Sequence, residues 1–320
     1  MEKLKTIFLG TPDFALPSLE MLFNHPLIDL KYVITMPDRK SGRGQQLHSP
    51  PVALYAKENK ISLIQTDCIN QEKEILQKFL EEKIDLAIVL AFSQFLSEEF
   101  LNIPKLGCFN IHTSLLPKYR GAAPIQYALL NGDHMTGVSI FKIVKKMDAG
   151  EVALLQSVSI AENETFAELY SKLKFQSALS LNTFIRQIHD GNLKLRPQDE
   201  TSVSFAPTLK KEDGFIDFKN HSQTKIINKV RALIPWPGCY FFINEHRYKL
   251  LEIEPHNKNL DPGNIYTDMG ELLIGCADNK SLRLKSLQRE GKNITSDLLL
   301  INAFKSRNES LKINPERNPP

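Results

Sequence analysis

The chain has 320 residues, 42% hydrophobic and 24% charged, with a formal net charge of +3. That length favours two domains with a substantial core, and no apolar run reaches the ~18 residues that span a bilayer, so neither a disordered nor a membrane-spanning chain is indicated. Cys68, Cys108, Cys239 and Cys276 are scattered without a Cys-x-x-Cys pair, which points to buried thiols rather than a zinc knuckle or a disulfide framework.

Met1-Glu-Lys-Leu-Lys runs directly into an apolar strand without a signal-type core, so a cytoplasmic protein is expected. Strands at 5–9, 31–35 and 86–90 alternate with helices at 14–23, 51–58 and 73–80, the β-α-β rhythm of a doubly wound, mostly parallel sheet. Ligands of such sheets bind beyond the carboxyl ends of the strands where strand order reverses, so Gly10, Ala91 and His112 are expected to converge. The first turn, Gly10-Thr-Pro-Asp-Phe14, lacks Gly-x-Gly-x-x-Gly, which argues against a Rossmann nicotinamide site, and a P-loop is also absent. Residues 36–51 carry two glycines, three prolines and the cations Arg39, Lys40 and Arg43, a composition that predicts a long mobile basic loop with no packed element. The turn at 91–97 reads by itself as an ordinary loop before a short helix.

The stretch from 107 to 150 is the most informative. Cys-Phe-Asn-Ile-His (108–112) predicts a short buried strand in which Asn110 and His112, two apart, leave the same face. The turn Lys118-Tyr-Arg-Gly121 ends it, a helix begins at Ala122, a second strand spans 136–144, and Asp148 follows in Met-Asp-Ala-Gly. An amide, an imidazole and a carboxylate at neighbouring strand ends can hold an oxyanion and move protons during acyl transfer. The same three residues could equally be satisfied structural groups.

Beyond Asp148 the pattern gives a strand at 152–160 and an amphipathic helix at 165–189, with Leu169, Leu173, Phe175 and Leu179 as core contacts. Asp190-Gly-Asn stops that helix, and the polar residues 191–204 read as an interdomain linker. Short strands at 215–218, 240–243, 248–253, 263–266, 272–274 and 282–287, a helix at 223–233 and a last helix at 296–304 predict a small antiparallel barrel, with Trp236 of Pro-Trp-Pro-Gly as its anchor. The expected domains are therefore 1–190, the linker 191–204, and 205–320. From residue 201 onward eighteen basic residues face fourteen acidic ones, +4, against −1 for the rest, a mild hint of a polyanionic partner.

Asn-x-His-x-Ser-Leu-Leu-Pro, Tyr-Arg-Gly, Ala-Pro-Ile-Gln, Gly-Val-Ser and Met-Asp-Ala-Gly together resemble the formyltransferases that use 10-formyltetrahydrofolate. The resemblance extends over nearly the whole chain and is closest to the members that act on charged initiator tRNA. It implies a Rossmann-like catalytic domain followed by an OB-like barrel, 10-formyltetrahydrofolate as co-substrate without a metal, and formyl transfer to the amine of methionyl-initiator tRNA by a monomer. Asn110 and His112 would donate to the formyl oxygen, and Asp148 would support the imidazole and receive the amine's proton. The folate slot would be lined by Phe92, Gln94, Phe95 and Leu96, with Ser114, Leu115, Leu116 and Pro117 beside it. Ser93 and Phe95 depart from the glycine and smaller aliphatic residue of many relatives. Arg39, Lys40 and Arg43 match the loop that grips the tRNA acceptor end, with Arg43 at its wedging position. On the barrel, Lys210, Lys211, Arg247, Lys249, Arg283, Lys285 and Lys292 are implied phosphate contacts. An amino-sugar nucleotide as acceptor, or a non-catalytic folate- or RNA-binding relative, remain the alternatives.

Overall fold

A computed structural model describes residues 2–41, 44–306 and 311–313. In chain order the first elements are β1 (Leu4–Gly10), α1 (Leu16–Asn24), β2 (Ile28–Thr35), β3 (Arg39–Ser41), β4 (Gln46–His48), α2 (Pro51–Glu58), β5 (Leu63–Gln65), α3 (Lys73–Glu81) and β6 (Leu86–Leu90). They continue with α4 (Glu98–Leu101), β7 (Cys108–His112), α5 (Pro124–Leu130), β8 (Met135–Lys142), β9 (Val152–Ser159) and α6 (Phe166–His189). After these come α7 (Gln223–Leu233), β10 (Cys239–Ile243), β11 (His246–His256), β12 (Ile265–Asp268), β13 (Glu271–Gly275), β14 (Ser281–Arg289), β15 (Ile294–Ser296) and α8 (Asp297–Ser306). The chain divides into two compact units: Met1–Pro124, His134–Ile160 and Ala167–Pro207 form the first; Ile125–Asp133, Ala161–Phe166 and Thr208–Pro320 form the second. Among the described residues no helix is long and apolar enough to cross a membrane.

The first unit is built on a seven-stranded sheet of order β5-β2-β1-β6-β7-β8-β9. β5 through β7 are parallel, and β8 and β9 run antiparallel. Strands covered on both faces must be apolar throughout, which is why β6, Leu-Ala-Ile-Val-Leu, is buried at every position. One face packs Ile7, Leu9, Val89 and Cys108 against Leu76 and Phe79 of α3. On the opposite face the buried Phe109 ring lies 4.8 Å from that of Phe184 in α6; each such ring contributes roughly 1.5–3 kcal/mol by burial. Strand order reverses between β1 and β6, and register sets Gly10 beside Leu90 and Val89 beside Asn110, so the expected convergence at the carboxyl ends holds.

Three local expectations change. In α6 the buried stripe is Leu169, Leu173, Ser177, Ser180, Leu181, Phe184 and Ile185. Phe175 and Leu179 are 59% and 62% exposed, because six and ten residues beyond Leu169 lie far around a 3.6-residue turn from that stripe. The basic loop contains an element after all, the antiparallel ribbon β3–β4, with Arg39 opposite His48 and Lys40 opposite Leu47. The polar segment 191–204 belongs wholly to the first unit and is no free linker.

The second unit is a six-stranded antiparallel sheet, β10-β11-β14-β13-β12 with β15 on β14, bent by register shifts in β11 at Leu250–Glu252 and Glu252–Ile253. This is the small barrel-like domain expected. Residues 215–218 do not form one of its strands; Phe215 makes only an isolated bridge to Tyr240. Trp236 is 51% exposed and anchors no core; the unit is filled instead by Phe218, Phe241, Tyr248 and Leu284.

Candidate active site

β7 brings Asn110 and His112 to the end of the sheet. The Asn110 carboxamide is half-buried, and no protein group among the described residues hydrogen-bonds to it. Its amide atoms are not among the buried atoms left without a partner, so both amide hydrogens are open to solvent or to a ligand.

The His112 ring is buried, and its Nε2 lies 2.9 Å from the Tyr119 carbonyl oxygen. A carbonyl only accepts, so Nε2 carries the hydrogen and the exchangeable proton is at Nδ1. Nδ1 faces Asp148 Oδ2 at 3.9 Å, too long for a direct hydrogen bond and short enough for charge to be felt. The same Oδ2 accepts the Gly121 N–H at 2.8 Å. Tyr119, Asp148 and Gly121 have φ of 62°, 50° and 125°. For the two that carry a Cβ, the left-handed region costs about 1–2 kcal/mol each, so the surroundings must hold this geometry in place.

Those surroundings come largely from the segment read as a linker. Ser204 Oγ accepts the Tyr119 N–H at 2.9 Å, the Arg120 N–H donates to Ser204 O at 2.9 Å, and the Ala206 N–H donates back to Arg120 O at 2.8 Å. The Arg120 side chain, 1% exposed, donates to Gln198 Oε1 from Nε at 3.1 Å and Nη2 at 2.8 Å, and from Nη2 to Glu200 Oε1 at 2.7 Å. Hydrogen bonds from Arg120 and Lys146 pull the Glu200 carboxyl down to about 2. Gln198 Nε2 in turn donates to Asp148 O at 2.8 Å and Gly150 O at 2.7 Å. Sequence reasoning assigned no part to Gln198 or Ser204, which sit in a polar stretch without periodicity. Ser139, quoted within Gly-Val-Ser but given no role, donates from Oγ to Ser114 O at 2.5 Å and accepts the Leu116 N–H at 3.0 Å.

The expected folate-slot residues divide into two groups. Ser114 is buried with Oγ donating to Lys118 O at 2.6 Å, and Leu116 is packed against Phe141 and Val152. Leu115 and Pro117 remain half-exposed beside them. The Gln94 side chain accepts from Ile69 N at 2.8 Å and donates to Thr66 O at 2.8 Å, which ties the 92–96 turn to the loop after β5. Phe92 and Leu96 pack against the core, and Phe95 stands out at 79% exposed. The Cys108 thiol is pushed up to about 12 by burial, so it has no nucleophilic part.

Of the basic candidates, Arg43 lies outside the described residues. Arg39 pairs with Asp67 at 2.8 Å in an exposed pair, and Lys40 is exposed. In the second unit Arg283 is paired with Asp297 at 2.7 Å and Glu271 at 2.6 Å. Lys285 is engaged by Glu252 at 3.0 Å, and the Arg247 guanidinium lies 4.0 Å from the centroid of the Tyr240 ring. Lys210, Lys211 and Lys249 are exposed.

Comparison with known proteins agrees with this geometry. The formyl transferase family model matches residues 4–185, and the model of the formyl transferase C-terminal domain matches 208–305. The chain is 38% identical over 294 residues to the methionyl-tRNA formyltransferase of Geobacter metallireducens, covering 91% of this chain and 93% of the relative. It is 38% identical over 291 residues to that of Thermotoga maritima, covering 90% and 92%. Among solved structures, the N-formyltransferase of Helicobacter canadensis in complex with folinic acid and dTDP-3-aminofucose superposes with a TM-score of 0.66 at 21% identity, over 89% of this chain and 99% of that one, a likeness of fold.

Proposed function

Since the chain belongs to the formyltransferase family through both of its halves, we propose that it transfers the formyl group of 10-formyltetrahydrofolate to the α-amine of methionine esterified to initiator tRNA. The observation that carries the chemistry is the unpartnered Asn110 carboxamide, two residues from a histidine whose Nδ1 faces a carboxylate. In the reaction the amine nitrogen bonds to the formyl carbon, the bond from that carbon to the folate nitrogen breaks, and negative charge develops transiently on the formyl oxygen. Asn110 donates its free amide hydrogens to that oxygen, and a protonated His112 offers Nδ1–H as a second donor. Asp148, held by the Gly121 N–H, receives the proton that leaves the amine, directly or through water, and one proton is returned to the folate nitrogen as its bond to the formyl carbon breaks, so the exchange consumes no net proton. Leu115, Pro117 and the exposed Phe95 are assigned as apolar surface for a flat ring system, with Phe92 and Leu96 packed on the core beside Phe95 in the same turn. Lys40 and Arg43 on the basic loop, and Lys210, Lys211 and Lys249 on the barrel-like unit, are the cations we assign to tRNA phosphates.

The test is formyl transfer by the purified chain with 10-formyltetrahydrofolate as donor, to charged initiator tRNA and in parallel to a dTDP-linked amino sugar. Transfer to the tRNA alone is expected, and transfer to the sugar alone would overturn the acceptor assignment while leaving the site chemistry. Arg43→Ala is expected to weaken tRNA use and leave folate binding unchanged; undiminished transfer to the tRNA would remove Arg43 from the interface.

A further inference from the structure

The Gln198 carboxamide uses its full hydrogen-bonding capacity on groups that flank the site. Its oxygen accepts two N–H bonds from Arg120, and its nitrogen donates to the Asp148 and Gly150 carbonyls. Arg120 stands between Tyr119, whose carbonyl holds His112 Nε2, and Gly121, whose N–H holds Asp148 Oδ2. The contacts form a closed ring from His112 through Tyr119, Arg120 and Gln198 to the Asp148 backbone, and from the Asp148 side chain through Gly121 back to Arg120. Asp148 is therefore gripped at its carboxylate from one side and at its carbonyl from the other, in a backbone conformation with φ of 50° that it would leave if released. Only a side chain with two acceptor lone pairs and two N–H donors at this length completes the ring. A glutamate has no donor for the two carbonyls, a methionine has neither function, and an asparagine is one methylene short.

We propose that Gln198 is a positioning residue for the transfer reaction, fixing the separation between His112 and the Asp148 carboxylate without touching substrate. The inference rests on the catalytic reading of Asp148 given above. It assigns to the segment 198–206 the task of a back wall for the site.

The experiment is a double-mutant cycle on the full chain, comparing kcat and KM for Gln198→Glu, Asp148→Asn and the pair. Misplacement of a reacting group by about an ångström costs roughly a hundredfold, so Gln198→Glu is expected to lower kcat by about that factor while both KM values stay within about twofold. In the Asp148→Asn background the same change is expected to alter kcat by less than about threefold, because the group it positions is already gone. An equal loss in both backgrounds marks a merely structural role and overturns the proposal, as does undiminished kcat in the single variant. Full activity of Asp148→Asn would instead strike at the catalytic reading of Asp148, an outcome visible separately. Gln198→Met, neutral and similar in length, is carried through the same cycle so that a folding defect caused by the new charge does not decide the result.

Discussion

Replacing Asn110 by alanine separates catalysis from stability more cleanly than any other change at this site. Its carboxamide has no protein partner among the described residues, so truncation breaks no hydrogen bond, and β7 keeps its backbone pairing to β6 at Val89 and to β8 at Phe141. The residue is half-buried and adds no apolar core surface, so folding stability is expected to shift by no more than about 0.5 kcal/mol. The transition state loses one preorganised oxyanion donor, worth about 3 kcal/mol, or roughly a hundredfold in rate. Binding of the ground-state formyl group depends far less on that donor, so the loss should fall on kcat with KM for the folate nearly unchanged. The assay is single-turnover formyl transfer to charged initiator tRNA, with folate affinity followed by fluorescence and unfolding followed by urea titration. A kcat reduced by less than about threefold, or a fall in kcat matched by lost stability, would refute the assignment of Asn110 to the oxyanion.

Two further substitutions test the frame and the second unit. Gly121 has φ of +125°, and a Cβ there would stand 2.6 Å from the Ala206 carbonyl oxygen; Gly121→Ala is expected to cost about 1–3 kcal/mol in urea unfolding and to lower kcat by displacing the N–H that holds Asp148. Unchanged urea midpoint and turnover would show that the 117–123 loop is not held as described. Burial, reinforced by the nearby Lys229 and Lys225, pushes His221 down to about 4 from an ordinary value of 6.5. The unfolded chain therefore takes up this proton first as pH falls. Stability is full above 6.5 and is lost as pH falls through 4, by up to about 3 kcal/mol. His221→Gln should flatten that part of the stability profile, and an identical acid slope in variant and parent would exclude His221 as its source.

What could be read from the sequence depended on whether the signal was local. β6 was visible with its observed bounds because a strand covered on both faces must be apolar end to end, and β7 was bounded as observed although Asn110 and His112 interrupt its apolar run. Helix α2 was equally legible, since Pro51 opens it where a missing N–H costs nothing. Asn110 and His112 could be placed on one face by the two-residue period alone. β5, three residues ending in glutamine, is too short to show a period, and the strand assigned to 215–218 failed because aromatic residues packed beneath a sheet resemble those within one. The least legible part was the segment 198–206. A run of polar residues looks solvated, and nothing in its spacing says that Gln198 and Ser204 will meet partners some fifty to eighty-five residues away. The side-chain partners of Ser114 and Gln94 were equally hidden: Lys118 O, Ile69 N and Thr66 O are backbone groups that sequence patterns do not weigh.

The second compact unit is not one stretch of chain. Within it Arg231 donates to the carbonyls of Glu162 at 3.1 Å and Leu129 at 3.4 Å, and Asn228 to that of Leu130 at 3.5 Å. Those acceptors lie 69 to 102 residues upstream, inside or close to the span that also encodes the transfer site. A fragment beginning at Thr208 would therefore lack the stretches 125–133 and 161–166 that belong to this unit. The stretches 125–133 and 161–166 thus complete a unit whose main body begins only at residue 208.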